Sequence, residues 1–217
     1  MMTPRHGRVV LNLTVAACVV AGSRLPAQQV EGEPPSIPWS AERALAWSNY
    51  LGRPDVTSNA AAVTAYKFSY REECVGDAFT FRVVSQFDQA LSWVKPNALV
   101  TVAGRSRLLV HEQAHFDLSE VQSRKLRRAL HQLRTPCSMS SDERKALVMQ
   151  HIRDDAGNQR SYDADTGFGA NDVNQRRWVL DIARELAALS DYAPTDFGPR
   201  RDVPIATTAQ PPRAGRH

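Results

Sequence analysis

Apolar positions change their period along the chain, and the changes mark out the elements. Residues 9–22 are apolar almost throughout. Between 62 and 70 ("AVTAYKFSY") and between 78 and 87 ("AFTFRVVSQF") apolar and polar residues alternate, which predicts two strands. Glu73 to Asp77, holding Gly76, is placed to connect them as a hairpin. "SWVKPNA" then reads as a turn broken at Pro96. From about Arg105 the spacing becomes helical. Leu108, His111, His115, Leu118, Gln122, Leu126, Leu130 and Leu133 recur every three or four residues and share one inward face. This helix must end near Thr135-Pro136. Ser140 and Glu143 form a capping box for a shorter helix through Ile152. The Gly- and Asp-rich stretch "GNQRSYDADTGFGAND" (157–172) reads as a loop. A last amphipathic helix, from about Asp172 to Asp191, carries Trp178, Ile182, Leu186 and Leu189. Antiparallel strands followed by helices predict an α+β domain over residues 39–193, with a small antiparallel sheet packed on the long central helix.

The ends read differently. Arg5 and Arg8 precede the apolar run, which is too short to span a bilayer, and "SRLPAQQ" follows it. Residues 1–27 are therefore expected to be a signal peptide cut after Ala27. "VAAC" at 15–18 also resembles a lipobox, which would make Cys18 a lipid anchor. Either reading takes the protein out of the cytoplasm, to the periplasm, the medium or the envelope, with no transmembrane helix in the mature chain. Residues 28–38 are a Pro-rich linker, and 194–217 form a Pro- and Arg-rich tail expected to be disordered.

Charge changes this picture little. The formal net charge is +4, but the two ends hold seven arginines against two aspartates, so the body is close to neutral. It has no basic stripe interleaved with aromatics, so nucleic acid is not an expected partner. Export does change how the cysteines read. Cys74 and Cys137 are the only pair in the folded body, and an oxidising compartment favours a disulfide between them.

The chemistry lies in "RLLVHEQAHFDLSE" (107–120), which holds two of the six histidines. Residues four apart on a helix lie one turn above each other, so His111 and His115 can reach one ion. Zinc favours such nitrogen ligands and keeps a water where a position is open. Glu112 lies beside the first histidine, near enough to act as general base toward that water. Two inward histidines without a metal would each need a separate hydrogen-bond partner.

The third ligand is open on spacing alone. His131 lies about 24 Å along the helix from His115, too far to join. His151, Glu143, Glu120, Asp163 and Asp165 remain. Of these, Glu143 already has a capping role, and Glu120 points off the stripe toward a surface or outer contact.

The blocks "ALAWSNYLGRPD", "AAAVTAYKFSY", "SQFDQALSWVKP", "LLVHEQAHFDLSE" and "YDADTGFGANDVNQRRW", in this order, resemble the bacterial domain of unknown function 922 family over about residues 39–192. That family is described as predicted secreted zinc-dependent proteases, and the resemblance implies a zincin-like fold with the motif helix beneath a sheet. His111, Glu112 and His115 match its first motif, and Tyr162, Asp163 and Thr166 match its second. Where many members carry a His-Gly pair after that threonine, this chain has Phe168-Gly169. Other members also lack the histidine, so the resemblance implies Asp163 as third zinc ligand. Tyr162 could then donate to the developing oxyanion. The expected function is zinc-dependent hydrolysis of a peptide or protein substrate. The alternatives are a non-catalytic zinc-binding envelope or adhesion domain with a vestigial site, and a structural domain whose histidines are simply buried.

Overall fold

The computed structural model describes residues 9–10, 36–194 and 197–201. The expected signal cleavage region, Cys18 and most of the linker and tail lie outside the described residues. The chain is a mixed α+β domain. Its strands are β1 (Val9–Val10), β2 (Ile37–Pro38), β3 (Ala62–Val63), β4 (Tyr66–Val75), β5 (Ala78–Phe87) and β6 (Trp93–Val94). The helices α1 (Val102–Gln132), α2 (Ser141–Thr166) and α3 (Asp172–Ala188) follow, and β7 (Phe197–Arg201) ends the order. Among the described residues no helix is long and apolar enough to cross a membrane.

The hairpin β4–β5 organises the sheet. Its strands pair from Tyr66↔Phe87 to Val75↔Ala78, leaving Gly76 and Asp77 as a two-residue turn. Gly76 has φ 61°, the left-handed first position that such a turn needs. β1 pairs with β4, while β2 and β7 pair with opposite ends of the outer edge of β5. Segments read as signal peptide, linker and tail thus contribute the edge strands β1, β2 and β7. The expected strand 62–70 is split: Ala62–Val63 pairs instead with Trp93–Val94 in a separate two-stranded ribbon.

Alternation along β5 turns Phe79, Phe81, Val83, Ser85 and Phe87 inward. Phe79, Phe81 and Val83 pack on Leu126, Leu130 and Val148, and Phe87 packs on Phe116, so α1 covers one face of the sheet. The opposite side of α1 packs Ala114, Leu118 and Val121 against Tyr162 of α2 and Ile182 of α3. α1 is therefore central, and its residues from Leu118 to Arg124 are all buried. Its N-terminus is capped by the Thr101 hydroxyl, which accepts from the Gly104 N–H.

A central helix must satisfy its polar residues inside the protein, and Glu120 corrects the expectation of a surface contact. It is 0% exposed. Arg127 grips it with two nitrogens (2.9 and 3.2 Å), and Arg124 Nε donates to it at 2.8 Å. The same guanidinium of Arg127 donates to the carbonyls of Val83 and Tyr192, and Arg124 donates to that of Leu186. One carboxylate thus ties α1 to the sheet and to the end of α3.

The capping box Ser140–Glu143 starts α2 as expected. The helix, however, runs on to Thr166, through the stretch expected to be a loop. Beyond Ile152 its inward positions are Asp155, Gln159, Tyr162, Asp163 and Thr166, at helical spacing but almost all polar. A hydrophobic pattern cannot reveal such a face. Cys74 and Cys137 form a disulfide, joining β4 to the short 3-10 turn between α1 and α2.

Candidate metal centre

His111 and His115 lie one turn apart on α1, with Asp163 of α2 facing them. Their ligand atoms make a near-equilateral triangle. His111 Nε2 is 3.2 Å from His115 Nε2, and Asp163 Oδ1 is 3.3 Å from the first and 3.0 Å from the second. Three ligands about 2.0–2.1 Å from a tetrahedral ion stand roughly 3.3 Å apart, so these three could hold one such cation.

The tautomers point the same way. His115 Nδ1 bonds Gln159 Oε1 at 2.6 Å, and Gln159 Nε2 returns to the His115 carbonyl at 3.1 Å. His111 Nδ1 bonds Gln175 Oε1 at 3.2 Å. Gln175 Nε2 donates to the Tyr162 hydroxyl (2.6 Å), which donates in turn to the His111 carbonyl (3.1 Å). Each amide oxygen is held as an acceptor, so each Nδ1 carries its proton and each Nε2 presents a lone pair. Two lone pairs and a carboxylate then converge with no donor among them. Asp163 Oδ1 is buried and makes no aligned hydrogen bond. A cation at the centre of the triangle would satisfy all three at once.

Without an ion, a proton is the available substitute. Burial alone would push the His115 imidazole down, but Asp163, with Glu112 behind it, outweighs burial and raises it above its ordinary value. Burial would likewise raise the Asp163 carboxyl, but the two imidazoles hold it well below the usual carboxylate range.

Glu112 is buried to 3% exposure and lines the same cleft. Its Oε2 accepts from the Thr64 hydroxyl at 2.7 Å, and Thr64 lies 2.8 Å from the Tyr50 hydroxyl. The Thr64 hydroxyl spends its one proton on Glu112 and so accepts from Tyr50, which sets the direction of donation as Tyr50 to Thr64 to Glu112. The cleft has a volume of about 450 Å³, and its far wall is the segment from Asn59 to Thr64, which includes β3.

Tyr162, the expected oxyanion donor, lies behind the His111 ring. The side chain is 0% exposed, stacks on the His111 ring at 4.8 Å, and spends its hydroxyl on the His111 carbonyl and Gln175. It is not among the residues that line the cleft. The other third-ligand candidates are engaged elsewhere. Glu143 caps α2, His151 bonds Gln122, Asp165 bonds Trp178, and Glu120 is held by its arginines. Gln159, Gln175, Thr64 and Tyr50 were not predicted, because an amide or hydroxyl behind a ligand leaves no spacing signature.

Gly169 fits this packing as well. It has φ 79°, and a Cβ there would lie 3.1 Å from Cβ and Cγ of His111. Only a residue without a side chain lets the loop after α2 close on the ring.

No curated protein and no solved structure matches the chain. A family model does, over a span that includes His111, Glu112, His115, Asp163 and Gly169. By this match over residues 40–169, the chain belongs to the family DUF922, described as a bacterial protein of unknown function.

Proposed function

We propose that the protein is a zinc-dependent peptidase. The observation that carries this reading is the triangle of His111, His115 and Asp163, with the buried carboxylate of Glu112 on the adjacent wall of one cleft. Nitrogen and carboxylate ligands at tetrahedral spacing suit zinc, and a zinc ion held there would polarise a carbonyl and make water a better nucleophile. Glu112 takes the proton of the attacking water and passes it to the leaving amine. Tyr50 and Thr64 orient its carboxylate for that exchange. Gln159, Gln175 and Tyr162 keep the two imidazoles aimed at one point.

A peptide suits the cleft wall. Among the described residues β3 pairs only with β6, which leaves a strand edge along which an extended chain could add. The Cys74–Cys137 disulfide supports an oxidising location, hence export to the periplasm or medium, with residues 1–27 as signal peptide or Cys18 as a lipid anchor.

The test is Glu112→Gln in protein purified without a histidine tag. Wild type should bind about one zinc and cleave an unfolded protein such as casein. The variant should keep the zinc and lose cleavage by at least about 100-fold, the usual scale for a general base. Cleavage that survives with zinc bound would end the role of Glu112. A wild type that binds zinc and cleaves nothing would instead be a non-catalytic zinc-binding domain.

A further inference from the structure

The last turn of α2 runs into Gly167-Phe168-Gly169, with φ of 55°, 55° and 79°. Glycine takes left-handed backbone freely, but an aromatic residue there is sterically strained. The loop itself has clear anchors. The Phe168 N–H donates to the Asp163 carbonyl at 2.9 Å, and Gly169 closes on the His111 ring. Neither anchor needs the Phe168 side chain, which is 72% exposed. A large apolar group is thus both strained and left in water, with little packing to offset either cost.

What it does face is the cleft that holds the histidines, Glu112 and Asp163. The remaining lining is Asn59, the run Ala60 to Thr64, and Leu108. These are apolar or neutral, and every charged group lining the cleft belongs to the reacting cluster. A charged substrate side chain would find no partner here, while an apolar one would cover Phe168.

We infer that Phe168 is a specificity residue: it walls a subsite for an apolar side chain next to the scissile bond. The inference rests on the peptidase reading and narrows its substrates to peptides with a leucine- or phenylalanine-like residue at that position.

Three hydroxamates test it on the zinc-loaded full chain by calorimetry: acetohydroxamate, and the hydroxamates of N-acetyl-leucine and N-acetyl-aspartate. The leucine probe should bind wild type at least about tenfold more tightly than the aspartate probe, the scale of one apolar side chain in a pocket. Phe168→Asn should reduce that preference to about twofold or less, leave acetohydroxamate unchanged, and keep the thermal midpoint at or above the wild-type value, since asparagine tolerates left-handed backbone. Equal binding of the two side-chain probes, or a preference that survives Phe168→Asn, overturns the inference. So does a midpoint several degrees lower, which would make Phe168 a structural support of the loop. Failure of acetohydroxamate to bind either protein refutes the zinc site itself, and that outcome is distinct because this probe carries no side chain.

Discussion

Glu112 and Glu120 lie about two turns apart on α1, and both are buried, yet their surroundings are opposite. Glu120 accepts from two guanidinium groups that also anchor the sheet and α3. Glu112 accepts from one hydroxyl and looks onto a cleft whose facing carboxylate, Asp163, has an oxygen with no aligned donor. Burial of charge is therefore not one phenomenon in this helix. Where donors close around the carboxylate, the ion cluster holds the fold. Where acceptors gather without a donor, the arrangement could hold a cation.

The largest effect expected from this contrast is at Glu120. Glu120→Gln removes the charge between two buried arginines and should destabilise the protein by about 3–5 kcal/mol, read by urea unfolding. Zinc affinity of the fraction that remains folded should change by less than about threefold, because the cluster does not touch the triangle. A large loss of zinc affinity without a loss of stability would break the comparison.

Asp163→Asn should behave in the opposite way. It should weaken zinc binding by about 100-fold or more, judged against the 10–100-fold typical of losing a mere outer partner. At pH 8 the metal-free protein should lose no stability, since an amide can donate to the converging lone pairs. Equilibrium dialysis and a thermal melt on the same sample decide it.

A smaller effect concerns acidity. Asp163 and Glu112 raise His115 in the metal-free protein, so protonation there stabilises the fold below about pH 6.5, its ordinary value. That contribution is lost as pH rises through the raised folded value. Zinc held by His115 would need the neutral imidazole, so its stabilisation would run the other way and grow with pH, by up to about tenfold in affinity per unit for each proton displaced. The gap between melts with and without zinc should widen from pH 5 to pH 8. A constant gap would mean that His115 is not a ligand.

The sequence exposes the parts of this molecule that obey a period. Alternation locates Ala78–Phe87, and the three-and-four spacing of α1 carries His111 and His115 to one inward face, with Glu112 beside the first. It failed where polar residues are packed inside. Glu120 looked like a surface group because a charged residue is usually exposed, and only a helix covered on both sides makes it a core residue. The far half of α2 reads as a loop because its inward positions are Asp155, Gln159, Tyr162, Asp163 and Thr166, almost all polar. Asp163 is marked by family resemblance, not by periodicity. The edge strands β2 and β7 are too short, at two and five residues, to show a pattern.

The joining of α1 to α2 has a mechanical consequence. The disulfide of Cys137 fixes the pair near one end, and Asp163 meets the histidines toward the other. From the capped start of α2 to Asp163 is about 33 Å of helix at 1.5 Å per residue. A lever arm of that length turns a one-degree tilt into about 0.6 Å at its tip, whereas coordination distances hold within about 0.2 Å. Contacts partway along must therefore brace the arm. Gln122 to His151 and Tyr66 to Asp155 are placed to do so, each crossing from α2 to a neighbouring element. Substitutions at these braces, far from any ligand atom, would detune the centre by angle alone.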